Sequence, residues 1–355
     1  MRAGSTRMGR EQAVGAAVAV VALVLAAALA AASPVTALAG ASRPVTVMLS
    51  YGDNIFAAVP TVAIERGIFL KYGLAVNAFP QPRSQLAVES LVGGSTDFAT
   101  AVSNRLVFAA DAGLPVVAIG LSGYGYVAQL IVPVRDTTTR SMRDLVGKRL
   151  GIQVGSGTYA VWVRYLETQG LSPSDFRIVN LDTEVIPSAF EAGQLDAAVL
   201  FHPFTSQLTY TGLGRVVLRE EDIAGPVQST YPVYLLTRPQ LIQRNPDLVR
   251  RFMLAWVEAT HWVETHRDEA LEIMTDFYQN LGLKLDQRVV GDMLRSARFD
   301  RVLVSDVDIR DAQENIARPY LQAGRIRRIP ELRNIVDNRF AQEALAQLGL
   351  KEPLR

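Results

Sequence analysis

Short apolar, β-branched runs alternate with amphipathic stretches along this chain, and they do so twice in the same order. Residues 45–49 form an apolar run, followed by a polar loop and a helical pattern over 58–66. Gly73-Leu74 closes that unit, and 75–79 predicts the next strand. Residues 85–92 read as a helix ended by Gly93-Gly94. Asp97 follows, then a strand over 98–102, then Ser103-Asn104 opening another helix. From Lys148 the plan repeats, with a strand at 150–154, a helix at 158–169, the closing pair Gly170-Leu171 and a strand at 176–181. A helix at 187–192, Gly193, Asp196, a strand at 197–201 and His202-Pro203 opening a helix complete the second copy. Gly94 to Asp97 and Gly193 to Asp196 share one spacing, and so do Asp97 to Ser103 and Asp196 to His202.

Strand-helix-strand-helix-strand is the recipe for a mainly parallel sheet covered on both faces, which makes the fold class α/β with two lobes. Open α/β sheets bind ligands outside the C-terminal ends of their strands, so two such lobes predict a shared cleft between their βα loops. Two independent domains with unrelated sites are the alternative. The β-branched runs 129–134 and 232–237, flanked by Pro133 and Pro232, read as strands crossing between the lobes, an arrangement that permits hinge closure. On this reading residues 44–133 and 236–350 make lobe one and 134–235 lobe two. From Pro239 onward the pattern is helical: apolar periodicity over 246–280, a Ser305-x-x-Asp308 capping box before 307–321, and an amphipathic helix over 334–348. These helices are expected to pack on lobe one.

The N-terminus changes the picture of where the protein works. Arg2, Arg7 and Arg10 precede a run over 12–42 without a charged residue, and Ala37-Leu38-Ala39 fits a small-x-small cleavage site. A signal peptide over 1–39 and a periplasmic mature protein are expected, with an uncleaved anchor as the alternative. Losing three Arg and one Glu from 36 basic and 35 acidic residues leaves 33 against 34. Nothing in that balance points to nucleic acid. The chain has no Cys, which excludes disulfides, thiolate metal sites, cysteine nucleophiles and a lipidated N-terminal Cys. His261 and His266 are five apart and fall on different helix faces, so no metal site and no cofactor is expected.

Glu65-Arg66-Gly67-Ile68-Phe69 with Tyr72-Gly73-Leu74, Gly147-Lys148-Arg149-Leu150-Gly151 through Gly155-Ser156-Gly157-Thr158, and Ala189-Phe190-Glu191-Ala192-Gly193-Gln194-Leu195-Asp196-Ala197 followed by Pro203 resemble, in the same order, the nitrate/sulfonate/taurine type of ABC-transporter solute-binding protein. The resemblance covers about residues 44–345. It implies the type II periplasmic-binding fold, capture of a small organic anion without catalysis, and an ABC permease with its ATPase as partner of a monomer. The same superfamily includes binders of thiamine-precursor pyrimidines, and a heteroaromatic ligand is the second reading.

Candidate ligand contacts follow from the loops. Gly155-Ser156-Gly157-Thr158-Tyr159 follows a strand and opens a helix, where free N–H groups and the helix dipole favour an anion, and Ser156 and Thr158 add hydroxyl donors. Ordinary N-capping by Ser156 or Thr158 uses the same residues. In the first copy Ser50, Asn54, Ser103 and Asn104 offer hydrogen bonds, and Asp53 either pairs with an amine or fixes a turn. Tyr51, Tyr124, Tyr126, Tyr159 and Phe201 are aromatic liners or core. His202, in the loop matching Ser103, is a ligand contact or a structural histidine. Arg105 and Arg164 are the nearest basic groups. Gly155-x-Gly157-x-x-Ala160 with Asp182 also matches a dinucleotide fingerprint, which keeps open a nicotinamide-dependent oxidoreductase.

Overall fold

The computed structural model describes residues 43–125 and 128–354. The expected signal peptide and Tyr126 lie outside them. Two sheets are present among the described residues. The first has the order β2-β1-β3-β10-β4-β11, built from β1 Val45–Gly52, β2 Leu74–Gln81, β3 Phe98–Val102, β4 Val117–Gly125, β10 Val233–Thr237 and β11 Ala297–Arg298. The second has the order β7-β6-β8-β5-β9, built from β5 Gln129–Pro133, β6 Arg149–Ile152, β7 Arg177–Asn180, β8 Ala197–Leu200 and β9 Gly214–Leu218. β1 runs parallel to β2 and β3, and β6 runs parallel to β7 and β8.

The repeated Gly-x-x-Asp spacing has one structural cause. The Asp97 carboxylate accepts from Met48 N at 2.9 Å while Asp97 N donates to Met48 O. Asp196 does the same for Arg149, accepting from its N at 2.8 Å and donating to its carbonyl. Each acid therefore ties the start of the third strand of its copy to the first, where a sheet ladder ends and N–H groups need a partner.

The chain passes between the sheets twice, from β4 to β5 and from β9 to β10. Each of the two runs read as crossing strands pairs within the sheet it enters. β5 inserts antiparallel between β8 and β9, and β10 inserts antiparallel between β3 and β4. The crossings themselves lie just before these strands, and Gly125 N donates to Thr230 O at 2.7 Å where the two come together.

The first core packs Val47, Leu49, Tyr51 and Phe98 against the helix Pro246–Thr265. Phe98 and Phe252 stack with ring centroids 3.7 Å apart, and Trp256 Nε1 donates to Leu121 O at 2.9 Å. The second core packs Leu150, Ile152 and Val199 against Val161 and Trp162 of the helix Gly157–Thr168.

Several expectations shift. The periodicity over 246–280 is broken at His266 into Pro246–Thr265 and Arg267–Asn280. The capping box at Ser305 forms, but the stretch after it is a helix Asp306–Asp311, a π-helical turn Ala312–Ala317 and a helix Arg318–Gln322. That segment packs beyond lobe one, because Ile316 and Tyr320 share a cluster with Val161 and Trp162 as well as with Leu106. The last helix starts at Arg339 rather than 334, after a short turn Leu332–Ile335.

Candidate functional site

The helix entries after β1 and β6 are built alike. Asn54 accepts from Phe56 N at 3.0 Å, and Ser156 accepts from Tyr159 N at 3.0 Å while donating to Gln153 O at 2.8 Å. Both side chains act as N-caps, which leaves less of their hydrogen-bonding capacity for a ligand. Gly157, the first residue after its cap, faces the Tyr231 ring: a Cβ there would collide with the hydroxyl and stand 2.7 Å from Cε2.

The structure brings Ser103 and Asn104 close to the Gly155-Ser156-Gly157 loop through two tyrosines. Ser103 Oγ donates to Pro232 O at 2.8 Å, next to Tyr231. The Tyr320 hydroxyl lies 2.9 Å from Gly155 O and 2.8 Å from Ser156 O. Burial pushes that hydroxyl up to about 12, opposed by a hydrogen bond from Asn104 and by the charges of Arg105 and Arg325. Burial also pushes Tyr231 up, against the opposing charge of Arg105. Arg105 thus stands at this junction, whereas Arg164 pairs with Glu167 on its own helix.

Tyr51 sits in the first core, stacked on Phe277 with centroids 6.3 Å apart, and burial pushes its hydroxyl up to about 12. Tyr124 donates to Asp300 at 2.7 Å, under the Arg301 guanidinium 4.0 Å from its ring. Tyr159 is half-buried against Trp162 with centroids 5.8 Å apart, and Thr158 is buried. Burial raises the Asp53 carboxyl; its own backbone N–H opposes this and the charge of Glu184, in the second copy, adds to it.

His202 belongs to a second polar group. Its Nε2 is 3.2 Å from Gln129 Nε2 and 3.4 Å from Glu220, and its Nδ1 is 2.5 Å from Ser206 Oγ. Burial disfavours the Glu220 carboxylate, but hydrogen bonds from His202, Gln129, its own backbone and Ser296 outweigh it and hold the group down at about 2.

Buried oxygens at the strand ends have no hydrogen-bond partner among the described residues: Ser50 Oγ, Asn104 Oδ1 and Gln129 Oε1. Such groups cost free energy unless a water or ligand satisfies them. Two open cavities of about 450 and 490 Å³ lie elsewhere, around Thr139, Arg140 and Arg215 and around Arg135, Asp136 and Lys148. None of the candidate ligand contacts lines either cavity, although Lys148, Leu195 and Asp196 of the motifs line the second. Ser50, Asn104 and Gln129, rather than these surface hollows, hold the buried oxygens among the residues discussed above that lack a partner.

Sequence reading missed Gln129, Glu220, Tyr231 and Tyr320. A signal existed for two of them. Glu220 opens an acidic first turn, Glu220-Glu221-Asp222, straight after an apolar run, and Tyr231 immediately precedes the crossing run at Pro232. Tyr320 carries no local mark, since its place depends on how the π-helical turn delivers it.

A family model described as NMT1/THI5 like matches residues 57–270. A Bacillus subtilis (strain 168) protein named for binding aliphatic sulfonates is 27% identical over 290 residues, which cover 81% of this chain and 84% of that protein. A Haemophilus influenzae protein named for thiamine biosynthesis is 26% identical over 260 residues, covering 72% and 80%. Among solved structures, the alkanesulfonate-binding protein from Xanthomonas axonopodis pv. citri bound to MOPS superposes with a TM-score of 0.66 at 22% identity, covering 83% of this chain and 99% of that one. Two sheets with a swapped antiparallel strand in each, the paired helix entries and the matched span agree: the chain belongs to the NMT1/THI5-like family.

Proposed function

We propose that the protein is the extracytoplasmic solute-binding component of an ABC importer, and that it captures a small organic anion of the sulfonate class between its two lobes. The observation that carries this reading is the near full-length likeness to a protein named for binding aliphatic sulfonates. The arrangement of the loops supports it, because helix entries from both copies converge beside Arg105, and a helix N-terminus with a nearby guanidinium favours an anion. Lobe one comprises 44–133 and 236–350 and lobe two 134–235, adjusted at both boundaries because β5 Gln129–Pro133 pairs in the second sheet and β10 Val233–Thr237 in the first. Closure follows from a ligand that binds the closed form better than the open one. The mature protein is periplasmic and monomeric and docks on a permease. Among the described residues no helix is long and apolar enough to cross a membrane.

A pyrimidine ligand is the second reading, favoured by the relative named for thiamine biosynthesis and by the tyrosines at the junction. The oxidoreductase reading is the less favoured one, because on its Cβ side the second glycine of the fingerprint, Gly157, faces the Tyr231 phenol.

A thermal-shift screen of sulfonates, nitrate, taurine and aminopyrimidines tests the proposal. A true ligand at a hundredfold excess over its dissociation constant adds about 2.7 kcal/mol of stability. Turnover of any screened compound would contradict capture without chemistry.

A further inference from the structure

Two carboxylates join the second sheet's loops to a helix of the first. Glu220, first residue of the helix Glu220–Val227, accepts from Gln129 Nε2 at 2.8 Å and from Ser296 Oγ at 2.9 Å, with His202 Nε2 at 3.4 Å. Asp292 accepts from Ser206 Oγ and from the Tyr210 hydroxyl, each at 2.7 Å, and pairs with Arg295 on its own helix. Gln129 opens β5, His202 and Glu220 follow β8 and β9, and Ser206 and Tyr210 lie on the helix Phe204–Tyr210 between β8 and β9. Asp292 and Ser296 lie on the helix Gln287–Ser296, which packs in the first core through Val290 and Met293 and runs into β11 of the first sheet. Each side thus supplies one acid that accepts across the joint, Glu220 from Ser296 and Asp292 from Ser206 and Tyr210.

The two halves are wired together. Ser206 donates to Asp292, so its oxygen is left to accept from His202 Nδ1–H at 2.5 Å. With Nδ1 donating, a neutral ring accepts from Gln129 Nε2 at 3.2 Å through Nε2, and a protonated ring turns an Nε2–H toward Glu220 at 3.4 Å. Hydrogen bonds to ionised acceptors are about twice as strong as neutral ones; here Gln129, His202 and Ser206 are buried, while Tyr210 and Arg295 face water.

We infer that Glu220 and Asp292 are positioning residues for the solute site, forming a latch that fastens the closed arrangement of the lobes without touching the solute. This rests on the two-lobe capture reading. If only a fraction of molecules is closed, the apparent dissociation constant rises by the inverse of that fraction. A latch that raises the closed fraction tightens binding and slows release.

The absence of Cys permits a direct test, because Leu70→Cys and Val146→Cys put the sole two thiols at exposed positions on the two lobes. Spin labels there report the inter-lobe distance in ligand-free protein by double electron–electron resonance. Glu220→Gln with Asp292→Asn should move the distribution to longer, broader distances. It should also speed dissociation of a bound alkanesulfonate by about tenfold while the association rate changes less. Should the double variant fail to fold by circular dichroism, Ser296→Ala with Tyr210→Phe removes only donors and should shift the distance the same way by less. Coincident distributions in folded variant and wild type would overturn the latch. A shifted distance in a protein that binds none of the screened solutes would support the latch and sink the capture reading instead.

Discussion

In the first copy the residue after the helix cap is Ile55, buried in the first core; in the second it is Gly157, buried beneath the Tyr231 ring. The caps before them, Asn54 and Ser156, do the same work. Asp97 and Asp196 likewise do the same work three residues after their glycines. The copies diverge where the partner across the joint differs. The Ser103 entry is tied to the second crossing through Pro232 O, whereas the matching His202 entry reaches the helix Gln287–Ser296 through Ser206 and Asp292. A duplicated frame thus holds the strands in place, and unlike loop contents give the two copies different partners across the joint.

The largest effect expected from this contrast is on acid stability, because the Glu220 helix start after β9 has no acidic counterpart after β4. A carboxyl held at about 2 against an ordinary 4.5 contributes stability that is fully present above that ordinary value and is lost as pH falls toward 2. The loss is at most about 3 kcal/mol. Urea unfolding midpoints between about pH 5 and 3 should fall more steeply for wild type than for Glu220→Gln. Parallel slopes would mean that Glu220 is not held by its donors.

Next in size come Asp97→Ala and Asp196→Ala. Each strips a charged acceptor from a strand N–H and should cost about 1.5–3 kcal/mol. The two costs should be alike, and a neutral result at either site breaks the equivalence of the copies.

Gly157→Ala should lower stability by about 1–3 kcal/mol through overpacking against Tyr231, and Tyr231→Phe in the same chain should recover part of that. Asn54→Ala and Ser156→Ala should each cost about 1 kcal/mol as lost caps, read from melting temperature. The smallest change is expected from Ser50→Ala. Its oxygen has no partner among the described residues, so ligand-free stability should stay within about 0.5 kcal/mol of wild type. Ligand affinity should weaken if that oxygen faces the solute.

Much of the frame was legible because it is local. The strand expected over 98–102 is β3, and the helices expected over 58–66, 85–92 and 158–169 differ from those bounds by a residue or so at either end. Strand period, helix-ending glycines and caps act over a few residues and leave their mark in order. β4 and β9 were not read, since apolar runs beginning at Val116 and Val216 lack flanking signals that distinguish a strand from a buried helix segment. The swapping of β5 and β10 into the sheets they enter depends on pairing partners far away in the chain, and no local signal carries that. The same limit governs the site. Ser103, Asn104, Ser156 and Gly157 were named from their loops and do converge, but through Tyr231 and Tyr320, which tertiary packing alone delivers. Tyr51 and Tyr124 were read as liners or core, and the one packs in the first core while the other pairs with Asp300.

Calorimetric titration of the mature protein with a series of alkanesulfonates, with taurine and an aminopyrimidine alongside, bears most directly on whether solute is gripped between the lobes. The account predicts saturable heat with one site per chain for a sulfonate, weakened when Arg105→Ala removes the cation beside the helix entries, and unchanged compound recovered afterwards. No heat with any of these compounds, or recovery of a chemically altered one, would contradict it.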